Sequence, residues 1–82
     1  MIQPAFSERF KRSLYEAPER IKKDFAKQLP LLLKNLHYPS LRAKKYDETR
    51  GIWQARVNDS WRLYFIIEGN IYYFVDIMAH PK

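Results

Sequence analysis

The period of the apolar residues changes once along this chain, and that change limits the folds open to it. Up to Leu36, apolar side chains recur every three to four residues: Phe6, Phe10 and Leu14, then Ile21, Phe25, Leu29, Leu32 and Leu36. This is the spacing of a buried helix face. From Ile52 onward the period is two, over residues 52–57, 61–67 and 71–79, which are dense in β-branched and aromatic side chains. That is the spacing of strands. Asn58-Asp59-Ser60 and Glu68-Gly69-Asn70 separate these runs as tight turns, so the three form a meander. The order predicts an α+β fold, with two N-terminal helices packed on one face of a small, mostly antiparallel sheet.

Local signals set the expected boundaries. A short strand over residues 1–5 is limited by Pro4, and Ser7 is placed to cap a helix that ends near Glu16. Pro18 fits the first turn of a second helix and Glu19 suits its positive end. The stripe that follows predicts about seventeen residues of helix. Pro30 interrupts this stripe. An interior proline removes a hydrogen bond and crowds the preceding turn, which predicts a kink near Gln28 or a restart at Pro30. His37-Tyr38-Pro39-Ser40 reads as a loop into an edge strand over residues 41–46, and residues 47–51 as a second polar connection.

Alternation then sorts the strand side chains. Trp53, Ala55, Val57, Trp61, Leu63, Phe65, Ile67, Ile71, Tyr73, Val75 and Ile77 fall on one face, the expected core. Gln54, Arg56, Arg62, Tyr64, Asp76 and His80 fall on the other, with Tyr72, Phe74 and Met78. A β-bulge would exchange the faces beyond it.

A chain of 82 residues is expected to form a single domain, 1–82, because divided cores of this size bury too little surface to be stable. At 46% hydrophobic and 16% aromatic residues it is too rich in core-forming side chains to remain disordered. Fifteen Lys and Arg against nine Asp and Glu give a formal charge of +6, which favours polyanionic partners. The charge sits in residues 8–34, with eight basic and four acidic groups, and in residues 42–62, with six and three. The absence of cysteine excludes disulfides and thiolate chemistry. No run approaches the length of a membrane span or a signal peptide, so a cytoplasmic protein is expected. His37 has no partner at metal-ligand spacing, and the two glycines stand singly at turns. Neither a metal site nor a phosphate-binding glycine loop is expected, and no cofactor.

The order of elements, with Pro39-Ser40-Leu41-Arg42, Gly51-Ile52-Trp53-Gln54-Ala55-Arg56-Val57, Trp61-Arg62-Leu63-Tyr64-Phe65 and a closing Ala79-His80, resembles the RelE/ParE superfamily of bacterial toxin–antitoxin toxins. The resemblance spans almost the whole chain and rests on order and spacing. It implies a toxin that cuts messenger RNA on the ribosome without a metal, by attack of the ribose 2′-hydroxyl on the adjacent phosphate. It also implies a cognate antitoxin that neutralises the toxin. Arg62 matches the family's central-strand arginine, whose fork of donors suits a phosphate gaining charge; paired instead with Asp76 it would be an ordinary surface cation. Arg56, on the same face, is the expected second clamp. His80 falls where some members keep a histidine, and an unperturbed pKa of about 6.5 suits it to proton transfer.

Lys44, Lys45 and Tyr64 are the expected RNA contacts. Alternation sends the two lysines to opposite faces, so at most one reaches the substrate, and Tyr64 would stack on a base unless it packs internally. Two departures stand out: Pro81-Lys82 follow His80 where several active members carry a tyrosine, and Gln54 and Arg56 occupy a strand that carries paired lysines in others. The resemblance leaves two alternatives, a ParE-like toxin that inhibits DNA gyrase without cutting RNA and an inactive basic RNA-binding module.

Overall fold

The structure, a computed structural model, describes residues 1–81. Its elements are β1 (Gln3–Phe6), α1 (Glu8–Glu16), α2 (Glu19–Lys34), a 3-10 turn (Pro39–Leu41), β2 (Lys44–Asp47), β3 (Ile52–Arg56), β4 (Trp61–Glu68) and β5 (Ile71–Ala79). The sheet order is β1-β5-β4-β3-β2. β1 pairs parallel with β5 and every other pair is antiparallel. Among the described residues no helix is long and apolar enough to cross a membrane.

Ser7 joins the first strand, the first helix and the sheet. Its Oγ accepts from the Phe10 N–H at 2.9 Å, capping α1. The same hydroxyl donates to the Val75 carbonyl at 2.9 Å, and the Ser7 N–H donates to the Phe74 carbonyl at 3.0 Å. Only Ala17 and Pro18 separate the helices, both extended, as a residue before proline prefers to be.

The expected restart at Pro30 does not occur: α2 is one helix of 16 residues with Pro30 inside it. A proline in a helix interior costs about 3 kcal/mol. Leu32, in the last turn of the helix, is fully buried, which returns roughly 1.5–3 kcal/mol. Leu29, Leu31 and Leu33 pack partly against the same core. Continuing the helix therefore offsets the lost hydrogen bond.

The edge strand also begins later than expected. Pro39 starts a tight turn that buries Leu41 completely, and Arg42 closes it with a left-handed φ of 44°. Strand pairing starts only at Lys44, opposite Gln54.

The largest departure from simple alternation lies in β5. Tyr64 pairs with Asp76 but Phe65 pairs with Phe74, leaving Val75 as an extra residue in a β-bulge. Before the bulge the faces exchange: Tyr72 and Phe74 enter the core, while Ile71 and Tyr73 turn outward, each 38% exposed. Past it, Ile77 is buried as alternation predicts. Burial pushes the Tyr72 phenol up from its usual pKa. Phe74 is the hub of the aromatic core, with ring centroids of Phe6, Phe10, Phe25 and Phe65 at 5.4, 5.7, 6.4 and 5.5 Å. A second bulge lies in β2, where Lys45 pairs with Trp53 and Asp47 with Ile52, leaving Tyr46 extra.

These assignments make opposite predictions for adjacent aromatic residues. Phe74→Ala should cost about 3–5 kcal/mol in urea unfolding, a large share of the roughly 4–12 kcal/mol a chain of this size commands. Tyr73→Ala should cost under about 1 kcal/mol. Equal losses, or a larger loss at Tyr73, would mean that β5 alternates without the bulge.

Candidate functional site

The sheet face turned away from the core is built in rows set by strand register. One row crosses four strands as Lys44, Gln54, Tyr64 and Asp76. The next contains Arg56, Arg62 and Met78. Two residues of strand separate the rows, about 7 Å.

Arg42, Lys44, Gln54, Arg56 and Arg62 line a concavity of about 280 Å³ on this face. Arg62 Nη1 donates to the carbonyls of Asn58, Trp61 and Asp59 at 2.7, 3.0 and 3.3 Å. These partners fix the guanidinium without neutralising it. The alternative pairing with Asp76 does not form; that carboxylate accepts instead from the Ser13 hydroxyl and the Ile77 N–H, both at 2.8 Å. Arg56 forms an ion pair with the exposed carboxylate of Asp59 through Nη2, while its Nε is buried with no acceptor among the described residues. A buried donor left unmatched costs about 1–3 kcal/mol, and such groups in native proteins call for an explanation.

The turn between β3 and β4 is itself held rigid. Asn58 Oδ1 accepts from the N–H groups of Ser60 and Trp61 at 2.8 and 2.9 Å, and its Nδ2 donates to Asp24 of α2 at 2.8 Å. Gln28 of α2 donates to the Arg56 carbonyl at 3.1 Å. The helix layer thus positions both arginines from behind.

The other expected residues separate. Lys44 joins the basic concavity, whereas Lys45 lies with its ammonium 5.4 Å from the centre of the Trp53 ring. Tyr64 is only 8% exposed; its hydroxyl accepts from Gln54 Nε2 at 3.2 Å and its ring meets Tyr46 edge-on at 4.9 Å. It is packed internally, so it offers no free face to a base. His80 is exposed just beyond β5, with its N–H donating to the Ser60 carbonyl at 2.7 Å. Met78 is the register partner of Arg62, which puts His80 on the diagonal, with Cα atoms about 7–8 Å apart. It stands at the rim beside Arg62 and does not line the concavity.

Several residues enter the picture that alternation did not single out. Arg42 shares the parity of Lys44 and lies in the quoted Pro39-Ser40-Leu41-Arg42 run, a signal available in the sequence. Arg9, Tyr46 and Arg50 line a second concavity of about 420 Å³ with Tyr64, Asp76 and Met78. Arg50 Nε meets Asp47 Oδ2 at 2.7 Å, and this hydrogen bond holds the Asp47 carboxyl below its usual pKa. The stabilisation is therefore complete above the ordinary carboxylate range and disappears only as pH falls through the lowered value. Among the described residues no three His, Asp or Glu side chains gather as metal ligands.

No protein-family model matches the sequence, and no curated protein does. Solved structures do match in shape. YafQ from E. coli strain BL21(DE3) superposes with a TM-score of 0.79 at 18% identity, covering 98% of this chain and 94% of that one. The YoeB dimer from Staphylococcus aureus gives 0.79 at 15% identity, covering 98% of each chain. The RelB–RelE antitoxin–toxin complex from Methanococcus jannaschii gives 0.70 at 18% identity, covering 92% of this chain and 88% of that one. Two helices on a five-stranded, mostly antiparallel sheet, matched over nearly their full length, give this chain the RelE-like α+β fold of the YafQ, YoeB and RelE toxins.

Proposed function

We propose that this protein is the toxin of a toxin–antitoxin pair and acts as a metal-independent endoribonuclease on messenger RNA, with the ribosome as the setting for cleavage and inhibition of translation as the result. The observation that carries this reading is the concavity of Arg42, Lys44, Arg56 and Arg62, four cations on an open sheet face with Asp59 as the one acidic side chain, among the described residues, bonded to any of them. Such a surface fits the backbone of a single-stranded polyanion.

In the proposed reaction the ribose 2′-hydroxyl loses its proton and attacks the adjacent phosphorus. The bond from phosphorus to the 5′-oxygen breaks, and that oxygen takes up a proton. Arg62, held by turn carbonyls, grips the phosphoryl oxygens as charge builds on them. Arg56, paired through Nη2 with the exposed Asp59 carboxylate, is the second clamp. Lys44 contacts a neighbouring phosphate. His80, at the rim beside Arg62, carries a proton to or from the reacting oxygens. Pro81 follows where a tyrosine would stand, so no phenol assists the leaving group from that position.

An antitoxin partner is supported by the complexes in which similar toxins were solved, DinJ–YafQ from E. coli and YoeB–YefM from Staphylococcus aureus. Tyr15 and Tyr38 are large exposed side chains on the helical half that such a partner could cover.

Expression in a bacterial host, with sequencing of messenger RNA 5′ ends, tests the reading. Wild type should produce discrete ribosome-dependent ends. Arg62→Ala should lower their yield about 10²–10³-fold, and His80→Ala about 10²-fold or more. Intact transcripts with damaged or over-supercoiled DNA would replace this reading with the gyrase alternative. RNA binding without cleavage would leave an inactive binding module.

A further inference from the structure

We propose that Asp24 and Gln28, one helical turn apart on α2, are positioning residues for cleavage, because together they set the places of Arg56, Arg62 and His80. This rests on the nuclease reading above and adds to it two residues that do not line the basic concavity.

Asp24 acts through a single amide. Its Oδ2 accepts from Asn58 Nδ2 at 2.8 Å. The carboxylate forms no ion pair among the described residues, so the Asn58 amide is its partner. A hydrogen bond to an ionised acceptor is roughly twice as strong as a neutral one. Through Oδ1 the same Asn58 side chain accepts from the Ser60 and Trp61 N–H groups at 2.8 and 2.9 Å, which closes the turn. The carbonyls of the closed turn then take two of the proposed catalytic residues. Those of Asn58 and Trp61 accept from Arg62 Nη1 at 2.7 and 3.0 Å, and that of Ser60 accepts from the His80 N–H at 2.7 Å. The side chain of Arg62 and the backbone of His80 belong to different segments, yet both are referred to one carboxylate on α2.

Gln28 does the same for the third residue. Its Nε2 donates to the carbonyl of Arg56, the last residue of β3, at 3.1 Å. Its Oε1 accepts from the Ser40 hydroxyl at 3.4 Å, two residues before Arg42. This second contact is long and contributes less.

Asp24 and Gln28 are half-buried on the flank of a helix whose Phe25 and Leu32 lie in the core. They are anchored points. Asp59 and Ser60, by contrast, are exposed at the tip of a hairpin, where backbone opens most easily. A cleavage site has to hold its groups within about 0.5 Å, and a misplacement of about 1 Å can cost roughly 100-fold in rate. The links to α2 hold the hairpin to that tolerance.

The test is single-turnover cleavage of messenger RNA on programmed ribosomes by the purified full-length protein, below the unfolding transition of each variant. Asp24→Ala and Gln28→Ala should each lower the saturating rate about 10- to 100-fold and leave the half-saturating concentration within about 3-fold. Asp24→Asn, which keeps an acceptor for Asn58, should restore most of the rate. Lys27→Ala, an exposed change between the two, should have no effect. Asn58→Ser cuts the Asp24 link from the turn side, while its hydroxyl can still cap the turn. It should match Asp24→Ala, and the two combined should lose no more than either alone. Hydrogen exchange at the His80 amide reads the link without catalysis: it should quicken about 10-fold or more in Asp24→Ala and Asn58→Ser and keep the wild-type value in Asp24→Asn. A wild-type rate in Asp24→Ala or Gln28→Ala, a loss explained by weaker binding alone, an equal loss in Asp24→Asn, or exchange at His80 that ignores Asp24→Ala would overturn the proposal. If wild type cuts no RNA while exchange at His80 follows these expectations, the nuclease reading falls and the link from α2 to the turn stands.

Discussion

The extra residue in β5, Val75, decides which side chains of the last strand face the helices and which face outward. Under strict alternation Tyr72, Phe74, Asp76 and Met78 would share one side of the sheet. The bulge divides them, sending Tyr72 and Phe74 into the core and keeping Asp76 on the polar face. Ser7 pins that division, because its N–H and hydroxyl take the carbonyls of Phe74 and Val75 at the point where the ladder is disrupted. The same serine caps α1, so the helix that carries Arg9 and Ser13 is anchored to the strand that carries Asp76. Core packing and the geometry of the polar face are in this way one constraint.

The basic face carries a cost in stability. Arg56 and Arg62 are register partners on adjacent strands, and like charges directly opposite one another are destabilising. The fold accommodates them with the Asp59 carboxylate on one and turn carbonyls on the other. Asn58 and Gln28 stiffen the turn from the helix side. This leaves two fixed guanidinium groups whose charge is only partly compensated, an arrangement that an incoming phosphate would relieve. Preorganised donors that need no rearrangement when charge develops are the usual source of electrostatic catalysis.

Much of this was legible in the sequence. The change of period located both helices and all three strands of the meander, and parity brought Gln54, Arg56 and Arg62 to one face because β3 and β4 pair without interruption. Parity failed at the bulge in β5, since one inserted residue leaves no mark in an alternating pattern of aromatic side chains. Phe74 and Tyr73 are chemically equivalent as core candidates, and only pairing with β1 and β4 separates them. The edge-strand boundary failed because burial of Leu41 outweighs its strand propensity. The restart at Pro30 failed because local rules do not weigh the burial of Leu32 two residues later. Arg9 was out of reach for a different reason: its place beside Asp76 depends on where α1 docks, a tertiary fact.

The central claim is that the open sheet face, and not the lysine-rich helices, meets the nucleic acid. The salt dependence of RNA binding tests it directly. Each phosphate contact to a single strand contributes about −0.7 to the slope of log K against log salt. Arg42→Ala with Lys44→Ala should therefore make the slope shallower by about 1.4, while Lys22→Ala with Lys23→Ala leaves it unchanged. A slope that responds to the helix lysines and ignores Arg42 and Lys44 would contradict the account.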